Sequence, residues 1–293
     1  MAITSPALTL AVPALFGRIR PTTDLIRRLG PTDFSADAPT VQIAPGATIK
    51  VPISSVAAAQ AYNDSTNNYL TGGSTDWASL TATHLLSGHD VSGVDIDSGV
   101  NQGRIEQLFS IRAGDAIAAA VQGVLKTALD GVTQSTEVVV PAAGSATLAD
   151  YLNIASGIAW LDRATSMLAV NGSELASIKA VFAAQHILGT DEELARYMGF
   201  EGMVCVPGMT ARAVIVPRSS VGFLGRVPTT IARYAEAGAE TDPETQLSVG
   251  IVVADDQAKN RRVVNGDIWF GATVLSANAA ATTAGAVKIG TAA

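Results

Sequence analysis

The stretch RIEQLFSIRAGDAIAAAVQGVLKTAL, from Arg104 to Leu129, decides the reading of the fold. Its apolar residues Ile105, Leu108, Phe109, Ala113, Ala116, Ile117, Ala120, Val121, Val124, Leu125 and Ala128 recur at helical spacing and share one broad face. At the rise of an α-helix the segment would run about 39 Å. Ala113, Gly114, Ala118 and Ala119 are small enough to let another backbone approach closely. Gly131 suits the C-terminal end.

N-terminal to this helix the pattern is extended. Residues 1–39 read as an arm, because Pro6, Pro13, Pro21, Pro31 and Pro39 disfavour a long helix. A short helix is predicted around Asp24 to Leu29. Arg18, Arg20, Arg27 and Arg28 form the densest basic cluster of the chain, and three readings stay open for them: solvated charge, salt bridges to an acidic neighbour, or contact with DNA. Residues 40–100 read as an extended β-hairpin loop. Val41, Ile43, Ile49, Val51 and Ile53 share one parity around an Ala44-Pro45-Gly46-Ala47 turn, with Lys50 on the other face. From Tyr62 to Asp76 the sequence is rich in Asn, Ser, Thr and Gly, so the tip has no core of its own. Alternation resumes at Leu80 and again at Val94 and Ile96. A two-stranded ribbon is marginal alone in water. Ile49, Lys50, Val51, Tyr62, Tyr69 and Trp77 are therefore candidate assembly-interface residues, together with the four arginines.

C-terminal to the helix, short elements alternate, giving an α+β chain. Val138–Val140 is a strand, and Thr147 with Asp150 opens a helix predicted to run through Leu161. Met167–Val170 is a buried strand, followed by a helix from Glu174 to about Ala184. Thr190 and Glu193 open another helix, ended by Gly199. Met203–Val206 and Ala213–Val216 are core strands. Gln246–Ala254 and Asp267–Leu275 are long strands, with a polar turn at Asp255–Asn260 and a turn signal at Asn265-Gly266. Ala277–Ala293 reads as a mobile, low-complexity tail.

Composition narrows the function. Only 15% of the 293 residues are charged, where globular domains carry about 25%. Aromatic residues make up 5%, and the mean hydropathy is +0.30. A surface this poor in charge is expected to be covered partly by other subunits. The net charge of −7 argues against broad adhesion to nucleic acid. A lone Cys205 excludes an internal disulfide framework and suits a reducing cytoplasm. No apolar run reaches the length of a membrane span. The apolar start from Ala7 to Phe16 contains Pro13 and no preceding cation, unlike a secretory signal.

Catalysis finds no positive argument. Phosphate-loop, dinucleotide and nucleophile-elbow patterns are missing, so no catalytic residue and no cofactor is assigned. His84, His89 and His186 make no zinc pattern. Cys205 reads as a small buried hydrophobe. Asp95, Asp97, Asn101 and Glu106 fall in an EF-hand-like register, but Gly99 and Val100 break it, and acidic capping of the long helix explains the same residues. No metal site is assigned.

Two stretches carry a resemblance. LLSGHDVSGVDID, Leu85–Asp97, runs into the long helix, and GFEGMVCVPG spans Gly199–Gly208. Together with the element order they resemble the Hong Kong phage-type capsid fold of tailed-bacteriophage coat proteins and encapsulin shells. The first stretch is similar to the strand closing that family's extended loop, the second to its axial-domain segment. The resemblance implies an N-terminal arm (1–39), an extended loop (40–100), a peripheral domain with a spine helix (101–146), an axial domain (147–230), return strands of the peripheral domain (231–276) and a C-terminal tail (277–293). It implies pentamers and hexamers closing an icosahedral shell around double-stranded DNA, held without sequence-specific contact. Portal and decoration proteins are expected partners, a membrane is not, and the virion, assembled in the host bacterial cytoplasm, is the expected location. With Met1 as the first residue, a separate scaffolding protein or none is expected. Lys50 is the only lysine of the loop, and nothing around it supports the cross-link some members form. An encapsulin-like compartment is the nearest alternative, and a soluble α/β enzyme or binding protein a more distant one.

Overall fold

The computed structural model describes residues 6–30, 32–35, 48–54, 75–92, 102–132, 134–156, 158, 161–162, 163–218, 220–227, 236–241, 247–256, 261–275 and 286–291. The Ala44–Ala47 turn, the Tyr62–Gly73 part of the loop tip and the Asp95–Asn101 segment lie outside them. The chain divides into two compact units, each discontinuous in sequence.

The first unit comprises Met1–Ala47, Thr81–Thr127 and Phe223–Ala272. Its N-terminal segment corrects the extended-arm expectation: Pro6–Leu29 is one α-helix, α1, with Pro13 and Pro21 inside it. Burial explains the outcome. Leu15, Ile19, Thr22, Leu25, Ile26 and Leu29 recur at helical spacing and are all 6% exposed or less. Five apolar side chains at about 1.5–3 kcal/mol each outweigh about 3 kcal/mol for each interior proline.

The short strand β1 (Thr32–Asp33) follows, and later the ten-residue strand β4 (Thr83–Ser92). The long helix forms as expected: α2 spans Gln102–Asp130, its last residues counting with the second unit. The remaining strands are β9 (Val221–Arg226), β10 (Glu236–Thr241), β11 (Ser248–Asp256) and β12 (Arg261–Val274). Neither β9 nor β10 was expected from the sequence. They complete a six-stranded sheet in the order β1-β9-β12-β11-β10, with β4 also on β12. Residues 261–267 of β12 pair antiparallel with both β11 and β4, which therefore occupy opposite edges.

Asn265-Gly266 is not a turn but lies inside β12. The glycine serves close approach instead. A Cβ on Gly266 would stand 2.6 Å from Ile117 Cδ1 of α2 and 2.9 Å from Leu15 Cδ1 of α1. Both helices thus press on the β12 face that carries Val264, Ile268 and Phe270, each fully buried. Gly114 does the same between the helices, since a Cβ there would meet the Leu15 carbonyl oxygen at 2.7 Å. Ala119, expected to be packed, is exposed.

The second unit comprises Thr48–Leu80, Ala128–Gly222 and Thr273–Ala293. Strands β2 (Thr48–Ser54) and β3 (Thr75–Thr81) pair as a two-stranded sheet. A five-stranded mixed sheet runs in the order β5-β13-β8-β6-β7, from β5 (Gln134–Val140), β6 (Ser166–Val170), β7 (Gly202–Cys205), β8 (Ala213–Pro217) and β13 (Val287–Thr291). The helices α3 (Leu148–Leu152), α4 (Gly172–Ala184) and α5 (Asp191–Tyr197) belong to the same unit. Its core gathers Tyr151, Leu168, Ile178, Phe182, Phe200 and Ile215.

Two further expectations are corrected here. The helix opened by Thr147 ends at Leu152 rather than Leu161. Ala155 turns the chain at φ 57°, and Arg163 Nη1 donates to the freed Leu152 and Ile154 carbonyls at 2.9 and 3.1 Å. The C-terminal tail is not wholly mobile: β13 inserts between β5 and β8. Val287 and Ile289 alternate into the core at 8% and 6% exposure, and Lys288 Nζ donates to the Asp130 carbonyl at 3.1 Å.

Candidate self-assembly surfaces

Residues that could do chemistry are placed for structure. In the second unit, Arg212 donates from Nε and Nη2 to both Glu174 oxygens at 2.8 and 2.9 Å. Glu174 is 3% exposed. The Tyr151 hydroxyl donates to the same carboxylate at 3.0 Å and lies 3.0 Å from Ser177 Oγ. Burial, helped by the Glu174 charge, pushes the Tyr151 phenol up to about 12. Arg212 Nη1 also donates to the Val140 carbonyl at 3.1 Å. These bonds tie α3, α4 and β5 to the residue that leads into β8.

Helix starts in the same unit follow the sequence. Thr190 N–H donates to Glu193 Oε2 at 2.7 Å, and Glu193 N–H returns to Thr190 Oγ1 at 3.3 Å. Thr147 and Asp150 repeat the exchange at 2.7 and 3.4 Å. These bonds hold both carboxyls below their ordinary range. Cys205 sits half-buried on β7, where burial pushes its thiol up, a poor setting for a nucleophile.

His84 did attract a partner the sequence had not shown. It stands opposite Trp269 in the β4–β12 register, stacks on that indole at 4.6 Å, and bonds Asp267. Burial pushes the Asp267 carboxyl up, opposed by His84. Positions 84 and 267 are too far apart in sequence for spacing to reveal them. Among the described residues no group of three or more His, Cys, Asp or Glu could hold a metal ion. Most of the EF-hand-like register lies outside the described residues. No described helix is long and apolar enough to cross a membrane.

What remains is surface. Arg18, Arg20, Arg27 and Arg28 are all exposed on α1. Arg18 is bonded to Asp115 of α2 at 2.7 and 3.2 Å, and Arg27 lies 3.6 Å from Asp24. On β2, Ile49 is half-buried and Lys50 exposed, but Val51 is only 4% exposed. Val51 is thus covered by its own chain. Trp77 on β3 is 59% exposed, while Leu80 of the same strand is fully buried. Tyr62 and Tyr69 lie outside the described residues.

This arrangement matches solved structures over nearly its whole length. The capsid of an empty GTA particle has a TM-score of 0.53 at 13% identity, covering 93% of this chain and 90% of that one. A virus-like particle from Pyrococcus furiosus has a TM-score of 0.50 at 12% identity, covering 91% and 94%. The chain has the Hong Kong phage-type capsid fold. The capsid of Ralstonia phage GP4 is also similar, with a TM-score of 0.49 at 10% identity over 85% of this chain and 84% of that one. No protein-family model and no curated protein matches the sequence, so the likeness is one of fold. The long helix α2 forms over the span that its apolar period predicted.

Proposed function

We propose that the chain is the major capsid protein of a tailed bacteriophage. Copies join as pentamers and hexamers that close an icosahedral shell around double-stranded DNA, in the virion and assembled in the host bacterial cytoplasm. The observation that carries this reading is the end-to-end likeness to two particle-forming chains, 90% and 94% of whose lengths are covered. Partial overlap would have left room for a shared module with a different task. The exposed Trp77 on β3, and the low charge of the chain, support a surface completed by neighbours. Trp77, Lys50, Tyr62 and Tyr69 are assigned to those contacts. The segment 147–230 is assigned to the axial domain at the capsomer centre. Scaffolding, portal and decoration proteins are the partners this role calls for, and no enzymatic activity is assigned.

Sedimentation of the expressed full chain tests the reading. Fast-sedimenting particles are expected, and a stable 30.0 kDa monomer at high concentration would contradict it. Nuclease-protected DNA within particles from infected cells separates a genome shell from a protein compartment.

A further inference from the structure

The acidic chain concentrates positive charge in one place. Against a net charge of −7, helix α1 carries Arg18, Arg20, Arg27 and Arg28 with Asp24 as its only acidic residue. The buried stripe of α1 runs through Leu15, Ile19, Thr22, Ile26 and Leu29. Helical geometry puts Arg20, Asp24, Arg27 and Arg28 on the opposite side, with Arg20 and Arg28 about 12 Å apart along the axis. The neighbouring helix extends the same surface. Arg112, Asp115, Ala119 and Lys126 recur at helical spacing on α2, and Asp115 bonds Arg18 across to α1. An open groove of about 310 Å³ between the helices is lined by Gly17, Arg18, Pro21, Asp115, Ala119 and Gln122.

We propose that this face of α1 and α2 is the surface that lies against duplex DNA. The argument is one of charge complementarity. Duplex DNA carries about one negative charge per 1.7 Å of axis, a repeating target for a row of guanidinium groups. No exposed aromatic side chain stands among the described residues of the two helices, so bases have no platform to stack on. The face therefore reads backbone, not sequence. Asp24 lies beside Arg27 and Asp115 bonds Arg18, and α1 carries four arginines to one acidic residue. The proposal deepens the capsid reading by giving the genome-facing surface, and it can be tested apart from it.

The probe is a fluorescently labelled duplex of about 30 base pairs and mixed sequence, titrated with the full-length protein at about 50 mM and about 200 mM salt. Binding that weakens with salt is expected. The variant R20Q/R27Q/R28Q should bind at least about tenfold more weakly, with a salt slope lower by about 2–3. Arg218→Gln, an exposed arginine of the second unit, should leave binding unchanged. Circular dichroism verifies that each variant is folded, and electron microscopy reads particle formation separately. Equal binding by the triple variant and the wild type would overturn the proposal. So would loss of particles with DNA binding intact, which would place these arginines against an acidic surface of a second copy. If no particles form from either protein but the triple variant still loses DNA, the shell reading fails and this surface stands.

Discussion

Arg212, immediately before β8, holds both oxygens of Glu174 on α4, with donor–acceptor distances of 2.8 and 2.9 Å. The pair lies at the junction of helix and sheet in the second unit, with side-chain exposures of 18% and 4%. Removing one partner leaves a desolvated charge without its counter-charge. Arg212→Met should destabilise the chain by about 3–5 kcal/mol, read as a lower denaturation midpoint. Asp191→Asn breaks the exposed Lys179–Asp191 pair and should cost about 0–1 kcal/mol. Equal effects at the two sites would show that the Glu174 cluster does not hold the unit together.

Close packing of α1 on α2 and β12 makes opposite predictions for neighbouring small residues. Gly114→Val and Gly266→Val should each destabilise by more than about 2 kcal/mol, because their side chains would enter space filled by Leu15 and Ile117. Ala119→Leu should change stability by about 0.5 kcal/mol or less, since that position is exposed. Thermal melts of the three variants distinguish the faces.

That contrast marks the limit of what the sequence reveals. Helix α2 was legible because its apolar period persists through many turns, and both capping boxes because Thr147/Asp150 and Thr190/Glu193 are local. Helix α1 was hidden by Pro13 and Pro21, whose cost is offset only by a tertiary surface that spacing does not display. Gly266 looked like a turn residue, although its need is for room beneath Ile117. β13 was lost in an Ala- and Thr-rich tail because two inward residues, Val287 and Ile289, carry no periodic signal. Of the candidate interface, Arg18, Arg20, Arg27, Arg28, Lys50 and Trp77 are exposed and Val51 is buried. The His84–Asp267 contact joins residues that only strand register brings together.

Acid should weaken the second unit at its helix starts. Asp150 and Glu193 are held below their ordinary carboxyl range by bonds from Thr147 and Thr190. A lowered folded-state value means stability that is complete above the unfolded-state value and lost as pH falls through the folded-state one. Buried Asp267 has the opposite sign, its value being raised. It weakens the fold as pH rises from the ordinary carboxyl range through its raised value. Melting midpoints from about pH 6 to about pH 3 should fall less steeply in Thr147→Ala/Thr190→Ala and more steeply in Asp267→Asn.

The two residues of the β2–β3 ribbon separate folding from assembly. Trp77→Ala should leave the subunit's melting within about 0.5 kcal/mol while reducing the yield of particles in sedimentation. Val51→Ala should instead cost about 2 kcal/mol of subunit stability, because its side chain is covered by its own chain. Reversed outcomes would place Trp77 in the fold and Val51 at the interface.

Electron microscopy of the purified full chain, imaged across a range of concentrations, tests self-assembly most directly. Closed shells, or rings of five and six subunits, are the predicted result. A field of dispersed monomers at every concentration, from protein shown to be folded, would contradict the account.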